Sequence, residues 1–217
     1  MRTTMLRKTA LTIAAAAATA GGIAGPAIAA HAAPGVQTAA VADRKPNDER
    51  QLDVRYEAQP NFYYCGPAAA RNALSVQGKN IDMDAMAKEM GTTEAGTNSI
   101  NDITPILNKE TGQNVYKSVE ISAPKADPKQ TDKLRDDITT TIDNGRAVVA
   151  NIAGTTTDTN GTTHSFEGGH YISVVGYRDN GNTVKIADSA NPDTASYWIT
   201  TTNLANWIAT RGYTATS

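Results

Sequence analysis

One cysteine stands in the whole chain, Cys65, inside QPNFYYCGPAAARNAL at residues 59–74. A lone thiol cannot close an intramolecular disulfide, so it is an inert buried residue, an intermolecular link or a reactive group. Thiol hydrolysis needs four things: a thiolate, an imidazole to pair with it, donors for an oxyanion, and a group that holds the imidazole in place. The chain offers a candidate for each. Pro67 suits the first turn of a helix, which puts Cys65 at or just before a helix N-terminus, where free backbone N–H groups favour negative charge. Gln59, six residues upstream, carries an amide that could join the Cys65 N–H around an oxyanion if the chain doubles back between them.

The imidazole is His170 or His164. His170 opens an apolar strand after Gly168 and Gly169, a place where the ring is supported and a substrate backbone can approach. His164 lies in a Gly/Thr-rich stretch that reads as a loop, where a solvated histidine is the simpler expectation. The orienting group is tied to strand register. HYISVVGY and NTVKIAD flank RDNGN, and a three-residue D-N-G loop with Gly181 left-handed is a common hairpin form. That loop would pair Gly176 with Val184, Val174 with Ile186 and Ile172 with Asp188, leaving His170 and Asp188 as diagonal neighbours on one face. A two-residue N-G loop would turn Asp188 away, and Asn191 and Asp193 would then substitute.

The elements that position these residues follow from periodicity. Alternation of Leu52, Val54 and Tyr56 predicts a short strand, and Ala69, Ala70, Ala73 and Leu74 predict a helix that Gly78 stops. A second helix is expected from an Asp82 cap to about Met90, with Gly91 as its stop, and a third from Thr104 with Pro105 in its first turn. Leu134, Ile138 and Ile142 mark a fourth, ending near Gly145. RAVVANI, HYISVVGY, NTVKIAD and SYWIT read as strands, TTNLANWI as a closing helix, and residues 154–169 as a long polar loop of the kind that serves as a lid or binding loop. Helices followed by an antiparallel sheet give an α+β fold.

Residues 1–32 have Arg2, Arg7 and Lys8 ahead of an Ala-rich run and small residues suited to A-x-A cleavage, and read as a secretory signal peptide. Residues 33–50 read as a flexible leader or pro-segment, and 51–217 as one domain. Removing the signal takes 3 of the 20 basic residues and leaves 17 against 22 acidic, a net charge of −5. Without a basic stripe, nucleic acid and anionic membranes are poor partners. The expectation is a secreted, extracellular, soluble monomer acting on peptide or protein. One Cys and the two His left after signal removal make no zinc spacing, and residues 158–161 lack most of a calcium loop, so no metal or cofactor is called for.

Taken together, Gln59, Cys65-Gly66-Pro67 opening a helix, Gly169-His170-Tyr171 opening a strand that closes with Gly176-Tyr177, and Asp188 ending the next strand resemble the papain-like C-thirty-nine-like cysteine peptidases, relatives of bacteriocin-leader-processing domains. The resemblance covers about residues 50–210. It implies a papain-like α+β fold with the nucleophile helix packed on an antiparallel sheet, and peptide-bond hydrolysis through an acyl-enzyme. Cys65 would be nucleophile, His170 base and then acid, Asp188 orienter and Gln59 oxyanion donor. Two departures stand out: Tyr64 occupies the place of an acidic residue common in leader-processing members, and no transporter is attached, so a Gly-Gly leader specificity does not carry over. The same machinery could serve a peptidoglycan amidase or an acyltransferase, and a non-catalytic binder could use Tyr63, Tyr64 and Trp198 as a surface.

Overall fold

The structure, a computed structural model, describes residues 49–216. The signal-peptide reading and all but Glu49 and Arg50 of the expected leader lie outside the described residues. The sheet has seven strands: β1 (Arg50–Gln51), β2 (Tyr116–Glu120), β3 (Val148–Thr157), β4 (Thr163–Arg178), β5 (Thr183–Ala187), β6 (Ser196–Thr200) and β7 (Gly212–Thr216). Its order is β2-β7-β3-β4-β5-β6, with β1 also on β4, and every pairing is antiparallel. The helices are α1 (Cys65–Ser75), α2 (Met83–Glu89), α3 (Ile100–Thr111), α4 (Pro128–Asp143) and α5 (Thr201–Ile208).

Alternation along the strands builds two cores. Val149, Tyr171 and Val175 pack with Ala69, Ala73, Leu74, Met86, Ile103 and Leu107 of α1, α2 and α3. Val148, Ile152, Ile172, Val174 and Ile186 pack with Leu134, Ile138 and Ile142 of α4 and with Leu204 and Trp207 of α5. Helices therefore cover both faces of the α+β sheet. The Leu134, Ile138, Ile142 stripe is buried as its spacing predicts.

Four local expectations are corrected. α3 starts one turn before Thr104, because Ser99 and Asp102 form a capping box that precedes the proline. Pro105 then sits inside the helix on its exposed side, where the Asn101 carbonyl that loses its N–H partner can turn to water. Leu52, Val54 and Tyr56 alternate in burial as a strand would, yet residues 52–56 leave the sheet after Leu52 N–H donates to Val175 O at 2.8 Å. Their backbone turns to α1: Arg55 N–H donates to Ser75 Oγ at 3.0 Å and Glu57 N–H to Asn72 Oδ1 at 2.9 Å. The strand β7 was not anticipated, since GYTAT is short and follows a helix directly.

Residues 154–169 are no loop. The β3–β4 hairpin runs out to Thr157 paired with Thr163, with Thr156 opposite His164 and Thr155 opposite Ser165. Threonine is β-branched and suits a strand even where it faces water. Asp158 closes the turn, its Oδ1 accepting from Asn160 N–H at 2.8 Å and Thr162 N–H at 2.9 Å.

Candidate active site

Cys65 is the first residue of α1, 8% exposed, at the end of a helix in which every residue is buried. Small side chains allow that close seat, as Ala68, Ala69, Ala70 and Ala73 are almost fully covered. Ser173 Oγ of β4 donates to Ala69 O at 2.7 Å, and Asn72 Nδ2 to Glu57 O at 3.0 Å, so the helix is fixed to the sheet and to the strand-like segment before it. Gly66 is required by contact: a Cβ there would lie 2.8 Å from Thr97 Cβ. The N-cap residue Tyr64 contributes no side-chain acceptor. The first N–H groups of α1 are thus left for an anion beside the thiol.

His170 and Asp188 meet as register predicts, though by another route. The turn is longer, with Arg178 opposite Thr183 and a 3-10 turn over Asp179–Gly181 in which Asn180 has φ 55°. Gly176 pairs with Lys185, not Val184, and a bulge between Val174 and Gly176 then restores Val174 opposite Ile186 and Ser173 opposite Ala187. The extra residue in the loop is cancelled by the extra residue in the bulge, so His170 and Asp188 share a face. His170 Nε2 and Asp188 Oδ1 are 2.8 Å apart, with both side chains buried.

Asp188 has further partners. Its Oδ2 accepts from Tyr197 Oη at 2.9 Å, its Oδ1 from Ala190 N–H at 3.0 Å, and its carbonyl from Tyr56 Oη at 3.0 Å. Burial alone would raise the Asp188 pKa, but the bonds from His170, Ala190 and Tyr197 outweigh it and hold the pKa below the ordinary value. For His170, burial disfavours the charged ring, while hydrogen bonds to Asp188 and to Cys65 reverse that and raise the pKa to about 9. With Nε2 on Asp188, Nδ1 is the nitrogen left for the thiol. Phe166 stacks on the His170 ring at 4.1 Å and 18°.

Gln59 is anchored at the Asp188 side of the site. Its N–H donates to Ser189 O at 3.0 Å, its Oε1 accepts from Ser189 Oγ at 3.1 Å, and its Nε2 donates to Asn61 O at 2.8 Å. One proton of the amide remains for another acceptor. Asn191 and Asp193, the named substitutes for Asp188, are used in a local turn in which Asn191 Oδ1 accepts from Asp193 N–H at 3.0 Å.

His164 is not a solvated loop residue. It lies on β4 with its ring stacked 3.8 Å from Tyr197, and its Nε2 is 3.2 Å from Asp158 Oδ2. Tyr197 is therefore held between His164 and Asp188. Burial, the Asp188 charge and its hydrogen bond all raise the Tyr197 phenol pKa and keep it a donor. This residue was missed in the sequence, although the pairing of Ile186 with Tyr197 puts it beside the end of β5. Tyr63 and Tyr64 are half-buried, with Tyr64 Oη donating to Asp84 at 2.8 Å, and Trp198 carries the Arg178 guanidinium 4.5 Å from its ring centroid.

A cleft of about 220 Å³ opens over Cys65 and His170, walled by residues 95–98 before α3 and by Gly168 and Gly169 of β4. Asn151 Nδ2 donates to Tyr171 Oη at 3.0 Å and Tyr171 Oη donates to Thr97 O at 3.2 Å, tying the two walls together.

The model of the Peptidase_C39 like family matches residues 51–215. The chain belongs to that family. It is a C39-like cysteine peptidase with the papain-like architecture that its motifs imply. A protein of Bacillus anthracis described as a C39-like peptidase shares 12% identity and a TM-score of 0.54, over 78% of this chain and 98% of its own. Xylellain, a cysteine protease from Xylella fastidiosa, shares 12% identity and a TM-score of 0.50, over 80% of this chain and 86% of its own. At such identities the two structures speak for the C39-like fold alone. No curated protein matches the chain.

Proposed function

We propose that this C39-like peptidase is a secreted enzyme that cleaves peptide bonds with a Cys65–His170–Asp188 triad through a thioester. The carrying observation is the buried His170, bonded to Asp188 at 2.8 Å and interacting with the thiol of Cys65 at an uncapped helix N-terminus. In this mechanism the Cys65 thiolate forms a bond to the substrate carbonyl carbon. The resulting oxyanion is met by the Cys65 N–H and by the Gln59 amide. The His170 Nδ1 proton passes to the amine as the C–N bond breaks, leaving a thioester. Water, giving its proton back to Nδ1, attacks that thioester, and the acid leaves as the thiolate–imidazolium pair returns. Asp188 keeps the ring oriented throughout and stays ionised.

The signal-peptide character of residues 1–32 supports export, and the acidic balance of the remainder supports a peptide substrate over nucleic acid or membrane. The enzyme acts as a monomer and needs no cofactor. The test is digestion of unfolded casein and of a mixed peptide library by the mature protein and by Cys65→Ser, read by mass spectrometry. Fragments from the first and none from the second are expected. Release of muropeptides from cell wall, with casein and peptides left intact, would overturn the peptidase assignment in favour of a wall amidase.

A further inference from the structure

Arg211 stands in the wall of the cleft that holds Cys65 and His170, and also lines a second depression that continues past Asn98 and Asn151 to Glu120 and Ser122. The walls around the nucleophile carry no Asp or Glu. Among the described residues the Arg211 guanidinium has no ion pair and no hydrogen bond, and Glu120, the carboxylate that shares the second depression with it, instead accepts from Asn101 Nδ2 at 3.0 Å. An exposed cation with no internal partner, on the wall beside Cys65, is free to meet an anion on the substrate.

The backbone under it is built for placement. Thr210 sits at φ 68°, a left-handed conformation that a β-branched residue adopts only at a cost. It is held there by N–H bonds to Ile121 O at 2.7 Å and Ala123 O at 3.2 Å. Arg211 N–H donates to Ile208 O at 2.8 Å, and Arg211 O accepts from Ile121 N–H at 2.9 Å. Gly212 locks the other side, since a Cβ there would lie 2.7 Å from Val119 O. Opposite lies Gly169, left-handed at φ 95°, where a Cβ would stand 3.4 Å from Arg211 Nη2, so the guanidinium reaches across the cleft to β4. The left-handed Thr210 on one side and the tightly packed Gly212 on the other fix where the Arg211 backbone enters the cleft wall.

We infer that Arg211 is a specificity-determining residue that selects peptides carrying a carboxylate close to the bond that is cut, either an acidic side chain or a free C-terminus. The planar guanidinium pairs with carboxylate through two parallel N–H bonds, and Asn98 and Asn151 beside it add neutral polar contacts. The inference rests on the peptidase reading for its substrate class, but binding can be measured without turnover.

The probes are labelled decapeptides of Ala, Gly and Ser with one Glu or one Gln at each position in turn, made with free and with amidated C-termini. Affinity is measured on Cys65→Ala, alone and combined with Arg211→Ala, Arg211→Lys or Arg211→Glu, and kcat/KM on the same Arg211 variants with the thiol intact. The expected result is a preference of about tenfold or more for carboxylate over amide, the size of one charge-assisted pair. It should weaken at high salt, survive in Arg211→Lys, vanish in Arg211→Ala and invert toward lysine-containing peptides in Arg211→Glu. Which set shows it, internal Glu or free C-terminus, identifies the source of the carboxylate. Carboxylate-selective binding without cleavage would keep this inference and sink the peptidase reading. Equal treatment of Glu and Gln peptides, absence of carboxylate-dependent binding, or a preference that persists in Arg211→Ala would overturn it.

Discussion

At the scale of the residue, the site is a chain of buried bonds ending on a thiol. Asp188 accepts from His170, Tyr197 and Ala190, so it cannot be removed without leaving several groups unpaired. Asp188→Asn keeps the shape and loses the charge. It should lower kcat/KM by about tenfold or more while the far-UV spectrum stays native, because an amide oxygen can still accept from Nε2–H but brings no charge to stabilise the imidazolium. Near-normal turnover in Asp188→Asn would show that the charge is dispensable, and near-normal turnover in Asp188→Ala would remove Asp188 from the triad. The pH dependence carries a definite sign. Burial opposes charge on His170, yet its bonds to Asp188 and Cys65 lift the pKa to about 9, above the ordinary value of about 6.5. The stability gained from the charged ring is fully present below pH about 6.5 and is lost as pH rises through about 9. Thermal melting of wild type and His170→Gln from pH 6 to 10 should therefore show a gap in Tm that narrows with rising pH. A constant gap would mean that the buried ring is neutral.

At the scale of the element, the site depends on two close approaches. Gly66 lets α1 touch Thr97, whose carbonyl receives Tyr171 Oη across the cleft. Gly66→Ala should shift that wall, cost about 1–3 kcal/mol in stability by overpacking, and reduce kcat/KM at the same time. Unchanged melting and turnover would show that the wall yields freely. The hairpin at residues 154–169 supports the other side. His164 was expected to be dispensable, but its ring stacks on the tyrosine that donates to Asp188. His164→Ala should lower kcat several-fold with KM little changed, while Tyr197→Phe, which keeps the stacking surface, removes the hydrogen bond alone. If His164→Ala abolishes turnover and Tyr197→Phe does not, His164 takes a more direct part than packing.

Legibility in the sequence divides along the same lines. Helix ends with local chemistry could be read, as at Asp82, whose carboxylate accepts from Ala85 N–H, and Gly91, which is left-handed just after α2. The Ser99 box is overshadowed in the sequence because Pro105, which suits a first turn, gives a louder start signal. The Thr-rich hairpin looked like loop because half its residues face water, and periodicity reports burial rather than backbone pairing. The His170–Asp188 contact was legible only as a parity. Both the turn and the bulge were unseen, and their two errors cancelled. Tyr197 and Arg211 reach the site through strand pairing and a left-handed Thr210, which no short motif announces.

At the scale of the whole molecule, the sheet separates two cores and the site lies where α1 meets the middle of β4 and the end of β5. Cys65 comes from the layer of α1, α2 and α3, whereas His170 and Asp188 belong by alternation to the face that carries Ile172, Val174 and Ile186. Neither half holds the chemistry alone, so the thiol should feel the imidazole only in the folded chain. The most direct measurement is the rate of iodoacetamide alkylation at Cys65 in the folded mature protein, from pH 5 to 10, for wild type and His170→Gln. If His170 is the partner of the thiolate, wild type at pH 6 should react at least about tenfold faster than the variant. The two rates should converge above pH about 9, where the ring loses its proton. Equal rates at every pH would contradict a Cys65–His170 pair and leave a peptidase fold whose thiol is not activated by this histidine.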